Sequence, residues 1–242
     1  MAQQILVQRS GRFAYVSLNR PRLGNVVSDP MLVRLAQIVD ELGADPKLKA
    51  VVLSGRGADF SLGRERPNKG VAKPRPAAYE LHGRVMARIL DVYRAFRDCP
   101  APVIAKVRGR AVGFGCALIG GADLAISAAS ARFSLPEMAH GVAPTLAMSA
   151  LSKVAPKALA QMVYSMDPID APTALAVGLV GEVAPDDALD DAVERLLARL
   201  EGYDVAQIRA VKRFMARGLG LEPGAAADLA GYTLATLSTR PR

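Results

Sequence analysis

Tryptophan is absent, aromatic residues make up only 5% of the chain, and histidine occurs twice. So few rings argue against a nucleic-acid surface built by stacking bases on side chains. Cysteine is scarce too. Cys99 and Cys116 flank one apolar run, lack metal-ligand spacing, and fit two buried thiols in a reducing compartment rather than a disulfide. No stretch approaches the roughly 18–20 uninterrupted apolar residues of a membrane span, and Met1-Ala2-Gln3-Gln4 opens the chain without a basic segment leading into an apolar one. The expectation is a cytoplasmic protein with no membrane partner, and the sequence shows no metal site and no redox cofactor motif.

What is present suits a large folded core. With 242 residues, 51% of them hydrophobic, the chain accommodates one large domain or a domain with an appendage. Lysine and arginine outnumber acidic residues to give a net charge of +8, which favours polyanions: nucleic acid, a membrane surface or a phosphate-rich small molecule. Charge does not choose among them.

The chain is organised around Pro102-Val103-Ile104-Ala105-Lys106-Val107, then Gly109, Gly113 and Gly115, then an Ala/Leu-rich segment through Leu118. The β-branched run predicts a buried strand, and the glycines let the backbone turn sharply into a helix. The first turn of a helix has unpaired N–H groups and the positive end of the dipole, so the backbone from about Gly113 to Cys116 suits an anion or a developing oxyanion. Close packing of helix on strand would also account for the glycines.

Around this centre, residues 5–8 and 13–18 alternate about Ser10-Gly11 as a hairpin. Ser28-Asp29-Pro30 opens a capped helix with an apolar stripe from Met31 to Leu42, closed by Gly43. Residues 50–54 predict a strand buried on both faces, leading through Phe60-Ser61-Leu62-Gly63-Arg64-Glu65 into an irregular loop bearing Arg66, Lys69, Lys73 and Arg75. That loop is either a phosphate contact or a solvated excursion. Leu81, Val85, Ile89, Val92 and Phe96 recur at helical spacing over residues 79–98, with His82 among them. Two further strands are expected at 123–127 and 131–134, the second ending at Leu135-Pro136-Glu137. Beyond Pro144 only helices are expected, at about 146–154, 156–165, 171–177, 186–201, 205–218 and 223–237.

Several of these pieces occur together in one family. Asn19-Arg20-Pro21, Val51-Val52-Leu53-Ser54-Gly55 with Phe60-Ser61-Leu62-Gly63-Arg64-Glu65, the segment from Pro102 to Cys116, and Ser134-Leu135-Pro136-Glu137 with Gly141 follow in the order and at the separations of the crotonase superfamily. Ala171-Pro172-Thr173-Ala174-Leu175-Ala176-Val177-Gly178-Leu179-Val180 and the basic Ala210-Val211-Lys212-Arg213 helix also resemble it. The enoyl-CoA hydratases and isomerases belong to this superfamily.

The resemblance implies an α/β fold, a spiral of repeated ββα units forming two sheets with a helical C-terminal region. It divides the chain into a core with the acyl-CoA site at residues 1–185 and a helical trimerisation region at 186–242, and implies a homotrimer or dimer of trimers. By motif position, the backbone N–H groups of Arg64 and Phe114 would hold the thioester oxygen. Leu62, Gly63, Arg64, Arg66 and Gly113 would line the coenzyme A site, coenzyme A entering as part of the substrate with no cofactor tightly bound. Basic neighbours would reach its phosphates.

The sequence departs from the hydratase pattern at the carboxylates. A hydratase of this family carries one glutamate on the helix after the glycine turn and a second in the Pro-Glu motif; here Ala117 takes the first position and Glu137 the second. His82, His140 and Thr145 are the candidates to fill the gap. One carboxylate beside an oxyanion hole suits double-bond isomerisation, in which a proton leaves the α-carbon and returns to another carbon. Hydration by Glu137 with another water-positioning group is the alternative. A non-catalytic RNA-binding homologue is a reading from a different class, opposed by the interleaved charges and the missing aromatics. Phe114 and Thr145, where the family often has glycine, predict a reshaped acyl pocket, and the chain stops at Arg242, short of a basic tail common in the family.

Overall fold

The computed structural model describes residues 3–65 and 77–239. The loop cations Arg66, Lys69, Lys73 and Arg75 lie outside the described residues.

Strands β1 (Ile5–Ser10) and β2 (Phe13–Leu18) form the expected antiparallel hairpin, turned at Gly11 with φ +55°. Beyond β2 the sheet is parallel, adding β3 (Ala50–Gly55), β4 (Val103–Val107), β6 (Leu124–Ala128) and β9 (Glu182–Ala184) in the order β1-β2-β3-β4-β6-β9. A parallel strand covered on both sides needs apolar residues facing both ways. Val51 and Leu53 of β3 face the main core, whereas Ala50 and Val52 join Ile104 and Ile126 against Leu189, Val193 and Leu197 of helix α8 (Leu189–Glu201). A second sheet pairs β5 (Arg110–Val112) with β7 (Arg132–Ser134) in parallel and β7 with β8 (Ile169–Asp170) antiparallel.

Helix α1 (Asp29–Gly43) buries Met31, Leu32, Leu35, Ile38, Val39 and Leu42 as the spacing predicts. Ser28 stands at its N-cap without a side-chain capping bond. The second helical residue is Pro30, which has no N–H for the Ser28 hydroxyl to accept from.

The helix expected over residues 79–98 is three pieces: α2 (Ala78–Leu81), a π-helical turn (His82–Met86) and α3 (Ala87–Asp98). Ile89, Val92 and Phe96 are buried, but Leu81 is exposed, because the wider turn shifts the register of the stripe. Helix α4 (Phe114–Gly121) follows the glycine turn, α5 (Thr145–Ala150) packs on it, and α6 (Pro156–Ser165) and α7 (Ala171–Ala176) follow.

The glycine turn contains β5, and the region read as purely helical contains β8 and β9. These strands are two or three residues long, too short for a periodic signal, and exist through their partners in space. Helix α9 (Val205–Arg217) anchors on the core through Lys212, whose ammonium reaches Phe96 O at 2.8 Å and Asp123 Oδ2 at 2.6 Å. Helix α10 (Pro223–Ser238) buries none of its residues and packs on α9, leaving Tyr232 and Leu234 exposed. Among the described residues, no helix is long and apolar enough to cross a membrane.

Candidate active site

Two loops meet at the ends of β3 and β5, and Ser61 ties them together. Its carbonyl accepts from Val112 N–H at 2.9 Å, and its hydroxyl donates to Asn25 O at 2.9 Å and accepts from Gly63 N–H at 3.2 Å. Asn25, fully buried with φ +54°, braces the first loop from below: its amide donates to Arg56 O at 2.9 Å and Asp59 O at 2.7 Å. Asparagine tolerates the left-handed region, and its amide satisfies carbonyls that the turn would otherwise bury unpaired. The sequence signal for this brace is the Gly24-Asn25 pair, two residue types that tolerate the positive φ found at both positions.

The first loop presents Arg64. Val27 N–H donates to Gly63 O at 2.8 Å and Glu65 N–H donates to Val27 O at 2.9 Å. In this parallel bridge Arg64 turns its own N–H away from Val27. Its guanidinium does not face outward for a phosphate, because Asp29 Oδ1 holds it at 2.6 Å and Arg88 closes on Asp29 Oδ2 at 2.5 Å. The Arg64 hydrogen bond, foremost, keeps the Asp29 carboxyl below its ordinary value. Leu62 is half-buried, its side chain lying over Gly24.

The second loop presents Phe114. Gly113 has φ +55° and ψ −114° and donates to Ser134 O at 2.8 Å. Phe114 then begins α4, so its N–H has no acceptor within the helix. The loops abut: a Cβ on Gly63 would stand 3.1 Å from Val112 O and 3.9 Å from Phe114 N, and one on Gly115 would strike the Ser61 carbonyl. Both glycines are thus sites of close backbone approach.

Glu137 opens a 3-10 turn, Glu137–His140, reached from β7 through Leu135 and Pro136. Its Oε1 lies 2.7 Å from where a Cβ on Gly113 would be, so the carboxylate rests on the bare α-carbon beside Phe114. Ala117, one turn along α4, is fully buried. Cys116 is buried as well, its Sγ donating to Ala111 O at 2.9 Å; burial first, and the charge of Glu137 after it, push the thiol up to about 12. Tyr93, reaching in from α3, stacks on Phe114 with ring centroids 6.2 Å apart and planes at 22°. Burial, and then the Glu137 charge, raise the Tyr93 phenol. Tyr93 was not anticipated, since an aromatic beside a helical stripe carries no signal of its own.

Gly63, Arg64, Gly113, Phe114 and Glu137 therefore gather in one place. His140 shares the Glu137 turn but is exposed, as is Thr145 at the start of α5; His82 is exposed on the π-helical turn. Arg66 lies outside the described residues. Among the described residues no cluster of three histidine, cysteine or acidic side chains is placed to hold a metal ion.

In sequence and in fold the chain is similar to known proteins. The sequence profile named Enoyl-CoA hydratase/isomerase matches residues 8–230. An enoyl-CoA hydratase of Mycobacterium smegmatis superposes with a TM-score of 0.92 at 31% identity, covering 99% of this chain and 93% of that one. A Mycobacterium tuberculosis protein, Probable enoyl-CoA hydratase EchA12, is 31% identical over 216 residues, 85% of this chain and 74% of the relative. Enoyl-CoA hydratase domain-containing protein 3, mitochondrial, of Xenopus laevis is 29% identical over 81% of this chain, which spans 65% of that relative's length. Two sheets wound in this order, with a profile match running from the first hairpin into the last helix, make the chain a member of the enoyl-CoA hydratase/isomerase family and its fold that of the crotonase superfamily.

Proposed function

We propose that the protein isomerises the double bond of an enoyl-CoA thioester, with Glu137 as its single proton shuttle. The observation that carries this reading is the Glu137 carboxylate lying against Gly113, beside Phe114 N–H and the neighbouring Arg64 loop, while Ala117 on α4 offers no second carboxylate. Two backbone donors aimed at a thioester oxygen would stabilise the enolate formed when an α-proton leaves, an effect worth about 3 kcal/mol per donor where such groups have been removed. The carboxylate takes that proton and returns it at another carbon. The side chains at 64 and 114 take no part in this step, because the donors are main-chain groups.

In this reading coenzyme A enters with the acyl group, against Leu62, Gly63, Arg64, Arg66 and Gly113, and no tightly bound cofactor is needed. The protein works as a homotrimer or dimer of trimers, consistent with the uncovered apolar residues of α10. Hydration is the second reading, favoured by the names of the M. smegmatis and M. tuberculosis relatives. It requires a group other than Ala117 to position water.

Solvent deuterium exchange at the α-carbon of saturated and unsaturated acyl-CoA esters separates these readings. Isomerisation predicts exchange in the wild type, a fall of at least about 100-fold in Glu137→Gln, the scale of a lost general base, and no 3-hydroxyacyl product. Accumulation of 3-hydroxyacyl-CoA would establish hydration instead. Absence of both exchange and acyl-CoA binding would overturn the enzyme reading and favour the RNA-binding one.

A further inference from the structure

The ring of Phe114 occupies a position that this chemistry makes sensitive. An acyl group whose thioester oxygen rests on Phe114 N–H has the side chain of the same residue as an immediate neighbour. Phe114 is only 7% exposed and its ring is stacked on that of Tyr93, so it does not swing aside without breaking the stack. Tyr93 in turn lines a cleft of about 580 Å3 between α3, α4, α5 and α9, whose walls carry Leu90 and Met215 beside the charged Asp91, Arg94, Asp123 and Lys212. A Cβ on Gly121 would stand 4.0 Å from the Tyr93 ring and 3.7 Å from Phe96, so the bare glycine leaves room for about one methyl group beside the two rings. Neither Phe114 nor Glu137 borders the cleft. Glu137 lies against Gly113, next to Phe114, whose ring stacks on Tyr93, and Tyr93 borders the open volume.

We propose that the Phe114–Tyr93 pair is a wall that limits the reaction pocket to short acyl chains and shuts off the cleft behind it. The proposal rests on the acyl-CoA reading of the site and holds for isomerisation and hydration alike. A short chain ends before the ring pair. A longer one needs the space the rings fill.

Saturated esters test this without turnover. Butyryl-, hexanoyl- and decanoyl-CoA are titrated calorimetrically into the wild type, Phe114→Ala, Tyr93→Ala and Tyr93→Phe, and the ratio of decanoyl to butyryl affinity is compared within each protein, so that altered folding or coenzyme A affinity cancels. The wild type is expected to bind butyryl-CoA at least about tenfold more tightly than decanoyl-CoA, the scale of pocket discrimination by a few methylenes. Phe114→Ala and Tyr93→Ala each raise the ratio at least about tenfold, whereas Tyr93→Phe, which keeps the ring, leaves it unchanged. Equal affinity across the series in the wild type, or an unchanged ratio in folded Phe114→Ala and Tyr93→Ala, overturns the wall while leaving the acyl-CoA reading intact. Failure of every ester to bind the wild type overturns that reading and the wall with it.

Discussion

Gly113 holds its place for two separate reasons: its φ of +55° is one that other residues adopt at a cost, and a side chain there would enter the space of Glu137 Oε1. Gly113→Ala should therefore push the carboxylate aside without unfolding the protein. A displacement of about 1 Å costs on the order of 100-fold in rate, so α-proton exchange is expected to fall by that much while the thermal melting curve stays cooperative. An unaltered exchange rate would show that Glu137 does not act from this position. Cys116 makes a prediction with a sign. Its thiol rises from 9.0 to about 12 on folding, so the native state holds that proton more tightly than the unfolded chain does. This contribution to stability is fully present below pH 9 and is lost as the pH rises towards 12. At pH near 8 the native protein should release no colour from Ellman's reagent, and two thiols should react once guanidinium unfolds it, since Cys99 is buried too.

Between elements, the Lys212–Asp123 pair is the contact most exposed to test. Lys212 is 5% accessible and joins α9 to the end of β4, because Asp123 Oδ2 also accepts from Val103 N–H at 2.8 Å. Lys212→Met would leave a half-enclosed carboxylate without its cation, and a loss of about 3 kcal/mol in urea unfolding is expected, with part of it recovered in Lys212→Met/Asp123→Leu. The elements legible in the sequence were those with a period of their own. The hairpin alternates, α1 repeats its apolar residues every three or four positions, and β3 is apolar on both faces because sheet faces on both sides are covered. Strands β5, β8 and β9 have no such period, and the π-helical turn breaks one. At the site, Glu137 and the glycines were legible because a motif fixes their spacing. Asn25 and Tyr93 were not, since each acts on groups distant in sequence, Asn25 on Asp59 and Tyr93 on Phe114.

For the whole molecule, the uncovered face of α10 and the proposed assembly through residues 186–242 stand together. Leu234 is 66% exposed in the single chain, so Leu234→Glu adds charge without disturbing the monomer's core. Sedimentation velocity should show a trimer or hexamer for the wild type and a smaller species for Leu234→Glu; a monomeric wild type would rule out assembly by this helix. The charge of +8 acts at the same scale, and acyl-CoA affinity should weaken with added salt as phosphate contacts are screened. Phe114 enters the molecule twice, once as a main-chain N–H and once as a ring, and the two are inherited independently. Any residue but proline at 114 keeps the donor. If Phe114 has the proposed double role, replacing its ring by another side chain would change what the pocket admits while the main-chain donor stays in place. A saturation library at this one codon would accordingly hold the main-chain chemistry constant and vary substrate preference, making position 114 a natural entry point for directed evolution.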